Sequence, residues 1–250
     1  MKDVIVGMGE VGSTIFQLLE KRGFQVHGVD IEQNKSNELP TDEVNFLHIC
    51  FPYDSNFMEQ VHHYTKLYNP KAVVLHSTIS PGTTQAVQKN YKIPVICAPT
   101  RGVHKRFLFD VERYIKFYGY DKQYDFDGLE TAIQQRFQKI HQMTNAITCE
   151  LAKIVTDTTY YGWMIVYAYL SKMISDKHGV DYDEMWQFAE EPHKYLGNRP
   201  KFYIDPKGIG GHCVIPNLEL FGDSKYEKLI IETIKQINSI FIKKSNEDKN

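Results

Sequence analysis

The chain has 250 residues, which is enough for one large domain or two small ones. With 42% hydrophobic residues, 24% charged residues and a net charge of −2, its composition is globular and lacks the basic excess of a nucleic-acid-binding protein. Its scattered cysteines argue against a disulfide framework or a metal site. We expect a cytosolic protein, because the sequence shows neither a signal peptide nor an apolar run long enough to span a membrane.

Up to about residue 120, short apolar runs alternate with helical stretches. Continuously apolar, β-branched runs between helices are typical of a parallel sheet that is covered on both faces. We therefore predict an α/β fold over residues 1–145, a doubly wound parallel sheet of the Rossmann type. The predicted strands are Val4–Val6, Gln25–Val29, Phe46–Phe51, Ala72–Leu75, Pro94–Ala98 and Ile115–Tyr118.

From residue 146 the pattern becomes helical, and we predict a helical domain over residues 146–250. One long central helix, Ile147–Lys177, ends at Gly179, which suits a left-handed cap. The middle of this helix, residues 163–170, is apolar almost all round, so it requires burial on several sides. Part of that burial is expected from a second subunit in a homodimer, and a core helix within one chain is the alternative.

Three further features follow the long helix. Asp181 and Glu184 predict a capping-box-like start of the next helix. A loop rich in glycine, proline and asparagine is expected over Pro192–Pro216, and the last helix over Ser224–Lys243.

A glycine-rich turn follows the first predicted strand. Gly7 permits a tight turn, Gly9 lets a pyrophosphate approach the backbone, and Gly12 lets the next helix pack closely on the strand. The start of that helix, at Glu10 and Val11, offers free N–H groups and the positive end of the helix dipole to the phosphates. The turn therefore predicts a dinucleotide-binding site.

Asp30, at the end of the second strand, completes the signature. A carboxylate there accepts hydrogen bonds from the adenosine ribose and repels a 2′-phosphate, so NAD is predicted rather than NADP; an aspartate that caps a turn is the alternative. The loops after the third and fourth strands line the same crevice. They place Pro52, Ser77 and Thr78 near the cofactor, although the two hydroxyls can also serve helix capping ahead of Pro81.

A second cluster lies near the C-terminus. Gly208, Gly210 and Gly211 precede His212 and Cys213. Glycines leave room for a ligand beside the backbone, and a cysteine can act as a nucleophile. We expect the two later glycines and the histidine to contact the substrate and the cysteine to react with it. The remaining cysteines are expected to be inert buried thiols, and they are Cys50, Cys97 and Cys149.

Three segments resemble the UDP-glucose/GDP-mannose dehydrogenase family in the family's own order: VIVGMGEVG, STISPGTT, and the pair ELAKIVTD and GIGGHCVIPN. The resemblance covers about residues 1–220. It implies oxidation of a sugar C6 alcohol to a carboxylate in two hydride transfers to NAD. It also implies that Cys213 captures the aldehyde as a thiohemiacetal, that Lys153 stabilises an oxyanion, and that Thr78 orients a catalytic water.

The chain also departs from the family pattern. The family has an asparagine four residues after its lysine and an aspartate four residues after its cysteine, whereas this chain has Asp157 and Asn217. We predict that these two residues approach each other near Cys213 and Lys153, and a solvated Lys–Asp pair is the alternative. A glutamate that the family carries after the proline of the fifth-strand loop is missing, and we expect a truncated form without the family's C-terminal nucleotide-binding domain.

Three functions remain open at this point. The first is a nucleotide-sugar type of dehydrogenase with an altered or smaller alcohol substrate. The second is an enzyme similar to β-hydroxyacid dehydrogenases, in which Cys213 is incidental. The third is a non-catalytic NAD-binding relative, in which the exchanged residues mark lost chemistry.

Overall fold

The computed structural model describes residues 2–32, 43–196, 209, 214–220 and 225–247. The chain divides into two compact units, Met1–Lys153 and Ile154–Asn250. The roles assigned to a cofactor domain and a helical domain, and the boundary after residue 145, stay predictions.

A parallel sheet forms the centre of the first unit. Its five strands are β1 (Lys2–Val6), β2 (Val26–Val29), β3 (Val44–Ile49), β4 (Ala72–Leu75) and β5 (Val95–Cys97). They lie in the order β2-β1-β3-β4-β5, and each neighbouring pair is parallel. The predicted α/β fold is therefore confirmed.

Helices cover both faces of this sheet, because successive side chains of a strand point to opposite faces. The helices of the first unit are α1 (Glu10–Lys21), α2 (Phe57–Tyr68), α3 (Thr83–Gln88), α4 (Phe107–Arg113), α5 (Leu129–Phe137) and α6 (Ala146–Leu151). Val4 and Val6 share one core with Val61 of α2, and Ile5 shares the other with Ile15 of α1. This two-sided burial explains why the strands are continuously apolar in sequence.

The sixth predicted strand lies outside this sheet. β6 (Lys116–Tyr118) pairs in parallel with β7 (Ile140–Gln142), and the two form a separate sheet. An antiparallel bridge joins Cys97 to Gly119, just after β6. Placing the sixth strand in the main sheet was wrong, because an apolar run indicates a buried strand but not the neighbour with which it pairs.

A buried ion pair ties β1 to α5. The side chains of Asp3 and Arg136 are 1% and 4% exposed, and two hydrogen bonds of 2.6 and 2.8 Å run from the guanidinium to the carboxylate. The guanidinium also lies 4.0 Å from the ring centre of Phe46. Burial alone would raise the pKa of Asp3, but hydrogen bonds from His48 and Arg136 bring that pKa below its ordinary value. Asp3 is therefore ionised in the fold.

The second unit is helical. A π-helical segment (Ala152–Thr159) crosses into it and continues into α7 (Tyr160–His178), which is followed by α8 (Tyr182–Leu196), α9 (Val214–Glu219) and α10 (Lys225–Glu247). The predicted long helix, residues 147–177, is thus helical throughout but is not one regular α-helix. Gly179 has a φ of 65°, which confirms the predicted cap.

The start of α8 also follows the prediction, since the Glu184 N–H donates to the Asp181 carboxylate at 2.8 Å. The predicted loop Pro192–Pro216 is wrong at both ends, because α8 continues to Leu196 and α9 begins at Val214. Proline is tolerated in α9 because Pro216 lies in the first turn, where its missing N–H would have no helical partner.

The core of the second unit is formed by α7 and α10. The rings of Tyr169 and Phe241 stack with their centres 3.8 Å apart, beside the buried Val166 and Ile234. The segment 163–170 is only partly enclosed, however, since Tyr167 is 60% exposed. Within the described part of the chain, the search for helices long and apolar enough to cross a membrane found none.

Candidate functional site

The glycine turn between β1 and α1 depends on three missing side chains. Gly7 has a φ of +89°, and a Cβ there would lie 2.7 Å from the backbone nitrogen of Phe51. A Cβ on Gly12 would lie 1.9 Å from the carbonyl oxygen of Gly7, so α1 packs directly on the turn. Beside Gly9 there is open space. The first and third glycines are therefore required by the fold, and the second leaves the backbone accessible to a ligand.

Asp30 holds this turn in place. Its Oδ2 accepts a 2.5 Å hydrogen bond from the Met8 N–H, and its Oδ1 accepts one of 3.0 Å from the Glu32 N–H. The carboxylate therefore does bond backbone N–H groups at the turn, as the alternative of a turn-capping aspartate predicted. Its contact with a ribose stays a prediction.

The start of α1 carries the other predicted phosphate contacts. Gly9 is its N-cap residue and supplies no side-chain cap, and Glu10 and Val11 form its first turn. The Glu10 carboxylate is within hydrogen-bonding distance of Nδ1 of His104, which lies in a short 3₁₀ turn, His104–Arg106. No pattern in the sequence indicates this pair, because its members are far apart in the chain.

The loops after β3 and β4 lie side by side at the carboxyl ends of their strands. The Ser77 hydroxyl donates a 2.6 Å hydrogen bond to the carbonyl oxygen of Phe51, while Thr78 is half-buried and Pro52 is exposed. Ser77 therefore joins the two loops rather than capping a helix. The predicted helix start at Pro81 is also wrong, because α3 begins two residues later, after a glycine in the left-handed conformation.

Glu150 of α6 positions the loop after β4, and the sequence analysis missed it. This 2% exposed carboxylate accepts hydrogen bonds from the Gly82 N–H at 2.6 Å, the Thr84 N–H at 2.8 Å and the Thr84 hydroxyl at 2.6 Å. Burial raises the pKa of Glu150, although these three bonds act in the opposite direction. Two of the segments that carry the family resemblance, STISPGTT and ELAKIVTD, are thus in direct contact.

The predicted catalytic residues fall into different parts of the chain. Lys153 is half-buried at the end of the first unit, whereas Asp157 and Asn217 are half-buried in the second unit, in the π-helical segment and in α9. The approach of Asp157 to Asn217 stays a prediction. Four predicted residues lie outside the described residues, namely Gly210, Gly211, His212 and Cys213.

Both sides of that undescribed segment are anchored in the second unit. The amide of Asn238 accepts a 2.7 Å hydrogen bond from the Ile209 N–H and donates one of 3.0 Å to the Ile209 carbonyl. On the other side, a Cβ added to Gly162 would touch Val214 at 3.5 Å. Asn238 is a further residue that sequence reasoning missed, since nothing distinguishes one asparagine on a long polar helix.

Two of the remaining cysteines are buried in the first unit as expected, since Cys97 and Cys149 are at most 1% exposed. Cys50 is only half-buried at the surface of the chain. The protein atoms around it nevertheless raise the pKa of the Cys50 thiol to about 12, so this thiol stays protonated. Among the residues described, no group of three or more His, Cys, Asp and Glu side chains is placed to hold a metal ion.

Comparison with known proteins finds that the chain is similar to dehydrogenases. No family model matches the chain. The UDP-N-acetyl-D-mannosamine dehydrogenase of Methanocaldococcus jannaschii is 21% identical over 290 residues, which cover 94% of this chain and 64% of that relative. The chain thus spans less than two thirds of the relative's length.

Solved structures of dehydrogenases share the fold. The UDP-D-ManNAc dehydrogenase from Pyrococcus horikoshii matches with a TM-score of 0.80 and 20% identity, over 96% of this chain and 69% of its own. The 3-hydroxyisobutyrate dehydrogenase of Mycobacterium tuberculosis matches with a TM-score of 0.69 and 14% identity, over 96% of this chain and 94% of its own. The chain is therefore a homologue of nucleotide-sugar dehydrogenases, as its sequence motifs predicted.

Proposed function

We propose that the chain is an NAD-dependent oxidoreductase that oxidises a primary alcohol of a sugar or nucleotide sugar through a thiohemiacetal on Cys213. The observation that carries this proposal is the glycine turn, held by Asp30 at the carboxyl edge of the sheet, in a homologue of nucleotide-sugar dehydrogenases. The turn fits a dinucleotide, because the space beside Gly9 is open and no side chain caps the N-terminus of α1.

NAD would accept the hydride in each of two oxidations. Within the chain, the Cys213 thiolate adds to the aldehyde carbon, and the new C–S bond converts the carbonyl oxygen to an alkoxide that Lys153 neutralises. Loss of a hydride from that carbon leaves a thioester, and a water oriented by Thr78 replaces the sulfur to give a carboxylate and the free thiol. Asp157 either favours the protonated form of Lys153 or takes the alcohol proton.

The test is NADH formation from NAD with UDP-N-acetyl-D-mannosamine and a panel of other nucleotide sugars and sugar acids. We expect turnover by the unmodified protein and a loss of at least about 100-fold in the Cys213→Ser variant, because the hydroxyl is a weaker nucleophile. Cys50→Ala, which removes another cysteine, is the matched control and should remain active.

Two other outcomes would replace this proposal. Turnover of a hydroxy acid that survives Cys213→Ser would favour a β-hydroxyacid dehydrogenase-like enzyme, an alternative supported by the structural match to 3-hydroxyisobutyrate dehydrogenase. Tight NAD binding without turnover of any member of the panel would favour a non-catalytic relative, since the family glutamate is missing and the Asp157/Asn217 pair is exchanged.

Asp30 is expected to select NAD over NADP. Calorimetry should show at least about tenfold tighter binding of NAD, because the carboxylate repels a 2′-phosphate. Asp30→Ala should narrow this preference for NAD. It should also weaken the binding of both cofactors, since the Met8 N–H loses its partner. Asp30→Asn keeps an acceptor for the Met8 N–H without the charge but places its NH₂ group at the Glu32 N–H, so it should narrow the preference with a smaller loss of affinity than Asp30→Ala. Equal affinities in the unmodified protein would refute the role.

We also propose that the protein is a homodimer through the aromatic surface of α7 and α8. This surface exposes 55% of Tyr160, 52% of Tyr161, 60% of Tyr167 and 90% of Phe188. Light scattering should give about twice the chain mass of 29.1 kDa at micromolar concentration. Tyr167→Glu with Phe188→Glu should shift the mass to that of one chain, and a monomeric unmodified protein would rule the interface out.

A further inference from the structure

Four polar side chains form a buried row beneath the carboxyl edge of the sheet. Asp3, His48, His76 and Lys116 are 1%, 0%, 1% and 7% exposed. His48 Nε2 lies 3.4 Å from Asp3 Oδ2, and His48 Nδ1 lies 2.9 Å from His76 Nε2. His76 Nδ1 lies 3.0 Å from the Lys116 amine. The row therefore connects the start of β1 with the loop after β4.

Asp3 fixes the direction of every hydrogen bond in this row. Its carboxylate is ionised against Arg136 and only accepts, so Nε2 of His48 carries a proton. Neutral His48 then accepts at Nδ1 from Nε2 of His76, which leaves His76 Nδ1 as an acceptor. Burial lowers the pKa of both histidines, which keeps the rings neutral. Lys116 is therefore the donor to His76.

Lys116 also reaches the loop after β5. Its amine lies 2.9 Å from the Thr100 hydroxyl and 3.4 Å from the carbonyl oxygen of Pro99. The two loops already share one backbone bond, from the Thr100 N–H to the His76 carbonyl oxygen at 3.1 Å. An ammonium has three N–H groups for the three acceptors around it, whereas a neutral amine has two and can accept the third bond from the Thr100 hydroxyl.

We propose that Lys116 is a positioning residue that clamps the loops after β4 and β5 together, and that its positive charge, when it is protonated, strengthens the binding of an anionic cofactor in the crevice beside the clamp. For cofactor binding this rests on the proposed function, because the loop that begins at His76 continues into Ser77 and Thr78. Loss of the proton removes this positive charge, so NADH binding weakens as the pH rises.

The surroundings of Lys116 explain why its charge changes near neutral pH. Burial lowers the pKa of Lys116 from 10.5 to about 7. The carboxylate at the far end of the row is already paired with Arg136, so it does not restore the ordinary value. Ionisable groups that face the amine come from β3 and β5, from the loops after β3 and β4, from α6 and from the segment after α6, and they are His48, Cys50, His76, Cys97, Cys149 and Lys153.

The first test does not involve a cofactor. In protein labelled with ¹³C at lysine Cε, one resonance should titrate near pH 7 and should vanish in Lys116→Arg. Amide hydrogen exchange of residues 76–84 and of Thr100, corrected for intrinsic rates, should show protection that is roughly two- to tenfold lower in Lys116→Met than in the unmodified protein, because the three acceptors lose their shared partner. If every lysine titrates near its ordinary value, or if Lys116→Met leaves the protection unchanged, the clamp is refuted.

The second test compares NADH affinity over the same pH range by fluorescence. The unmodified protein should bind several-fold more weakly at the higher pH. Lys116→Arg, which stays charged, should keep the low-pH affinity throughout, and Lys116→Met should be weak throughout. Lys122→Arg, on the exposed surface, is the control and should behave like the unmodified protein. Parallel pH profiles of the unmodified protein and Lys116→Arg would overturn the proposal, whereas absence of NADH binding at any pH would overturn only the proposed function.

Discussion

Replacing Arg136 with methionine is expected to lower the free energy of unfolding by about 3–5 kcal/mol, one of the two largest effects expected in this chain. The substitution leaves the Asp3 carboxylate buried without its bidentate partner, and it removes the guanidinium that packs on the ring of Phe46. Urea denaturation followed by circular dichroism measures the change.

Two further variants separate loss of the ion pair from loss of packing. Arg113→Met removes an exposed arginine and should change stability by less than about 0.5 kcal/mol. The double variant Asp3→Asn with Arg136→Met carries no stranded charge and should be more stable than Arg136→Met alone. If the double variant is simply the sum of the two single variants, Asp3 and Arg136 are not coupled.

The buried ionisable groups of the first unit make the free energy of unfolding rise with pH. The pKa of Asp3 is lowered, so its contribution is present above 3.8 and is lost as the pH falls through the folded value. The pKa values of His48 and His76 lie below 6.5, so the unfolded chain gains protons first as the pH falls and stability decreases. Between about pH 7 and about pH 10.5, Lys116 is protonated in the unfolded chain but not in the folded chain. The free energy of unfolding therefore rises with pH over this range.

Replacing Glu150 with alanine is expected to lower the free energy of unfolding by at least about 3 kcal/mol, which is the second of the two largest effects. Three donors lose their acceptor at once, two of them N–H groups at the start of α3 and the third the Thr84 hydroxyl. Because the same loop carries Ser77 and Thr78, NADH affinity should fall as well. Thermal unfolding and cofactor fluorescence report the two losses separately.

Glu150→Gln tests the reason for that loss. A glutamine keeps one oxygen but places an NH₂ group where the second oxygen accepted a bond. The loss of stability should therefore lie between zero and the loss in Glu150→Ala. Glu20→Ala, at an exposed position of α1, is the matched control and should be nearly neutral. A glutamine variant as stable as the unmodified protein would show that the two oxygens do not both act as acceptors.

The sequence was informative where one element carries its own signal. Short apolar runs located the five strands of the main sheet, most clearly β4 and β5, whose residues are all buried. The strand β7 had no such signal, since Ile140 and Gln142 are only half-buried and His141 is exposed. Gly7 and Gly12 could be assigned from the spacing of the glycines, although the atoms that exclude a Cβ at Gly7 belong to the distant Phe51.

The residues that were missed act through distant partners. Glu150 bonds to residues 66 and 68 positions earlier in the chain, and no spacing rule links such positions. His48 could have been noticed in the sequence, since its imidazole interrupts the apolar run from Phe46 to Ile49. A polar residue inside a fully buried strand requires a buried partner, and that rule would have directed attention to His76 and Lys116.

The two hydrogen bonds of Asn238 depend on the backbone at position 209 and not on the type of side chain there. Both of its bonds are to the backbone of Ile209, so any residue of similar size at position 209 would satisfy them. Asn238 itself has no such freedom, because an aspartate would turn its NH₂ group into an oxygen that faces the Ile209 carbonyl. Deamidation, the slow hydrolysis that converts asparagine to aspartate, would therefore release Ile209 without any mutation. Chemical ageing at this one amide is thus a route by which stored protein would lose the anchor four residues before Cys213.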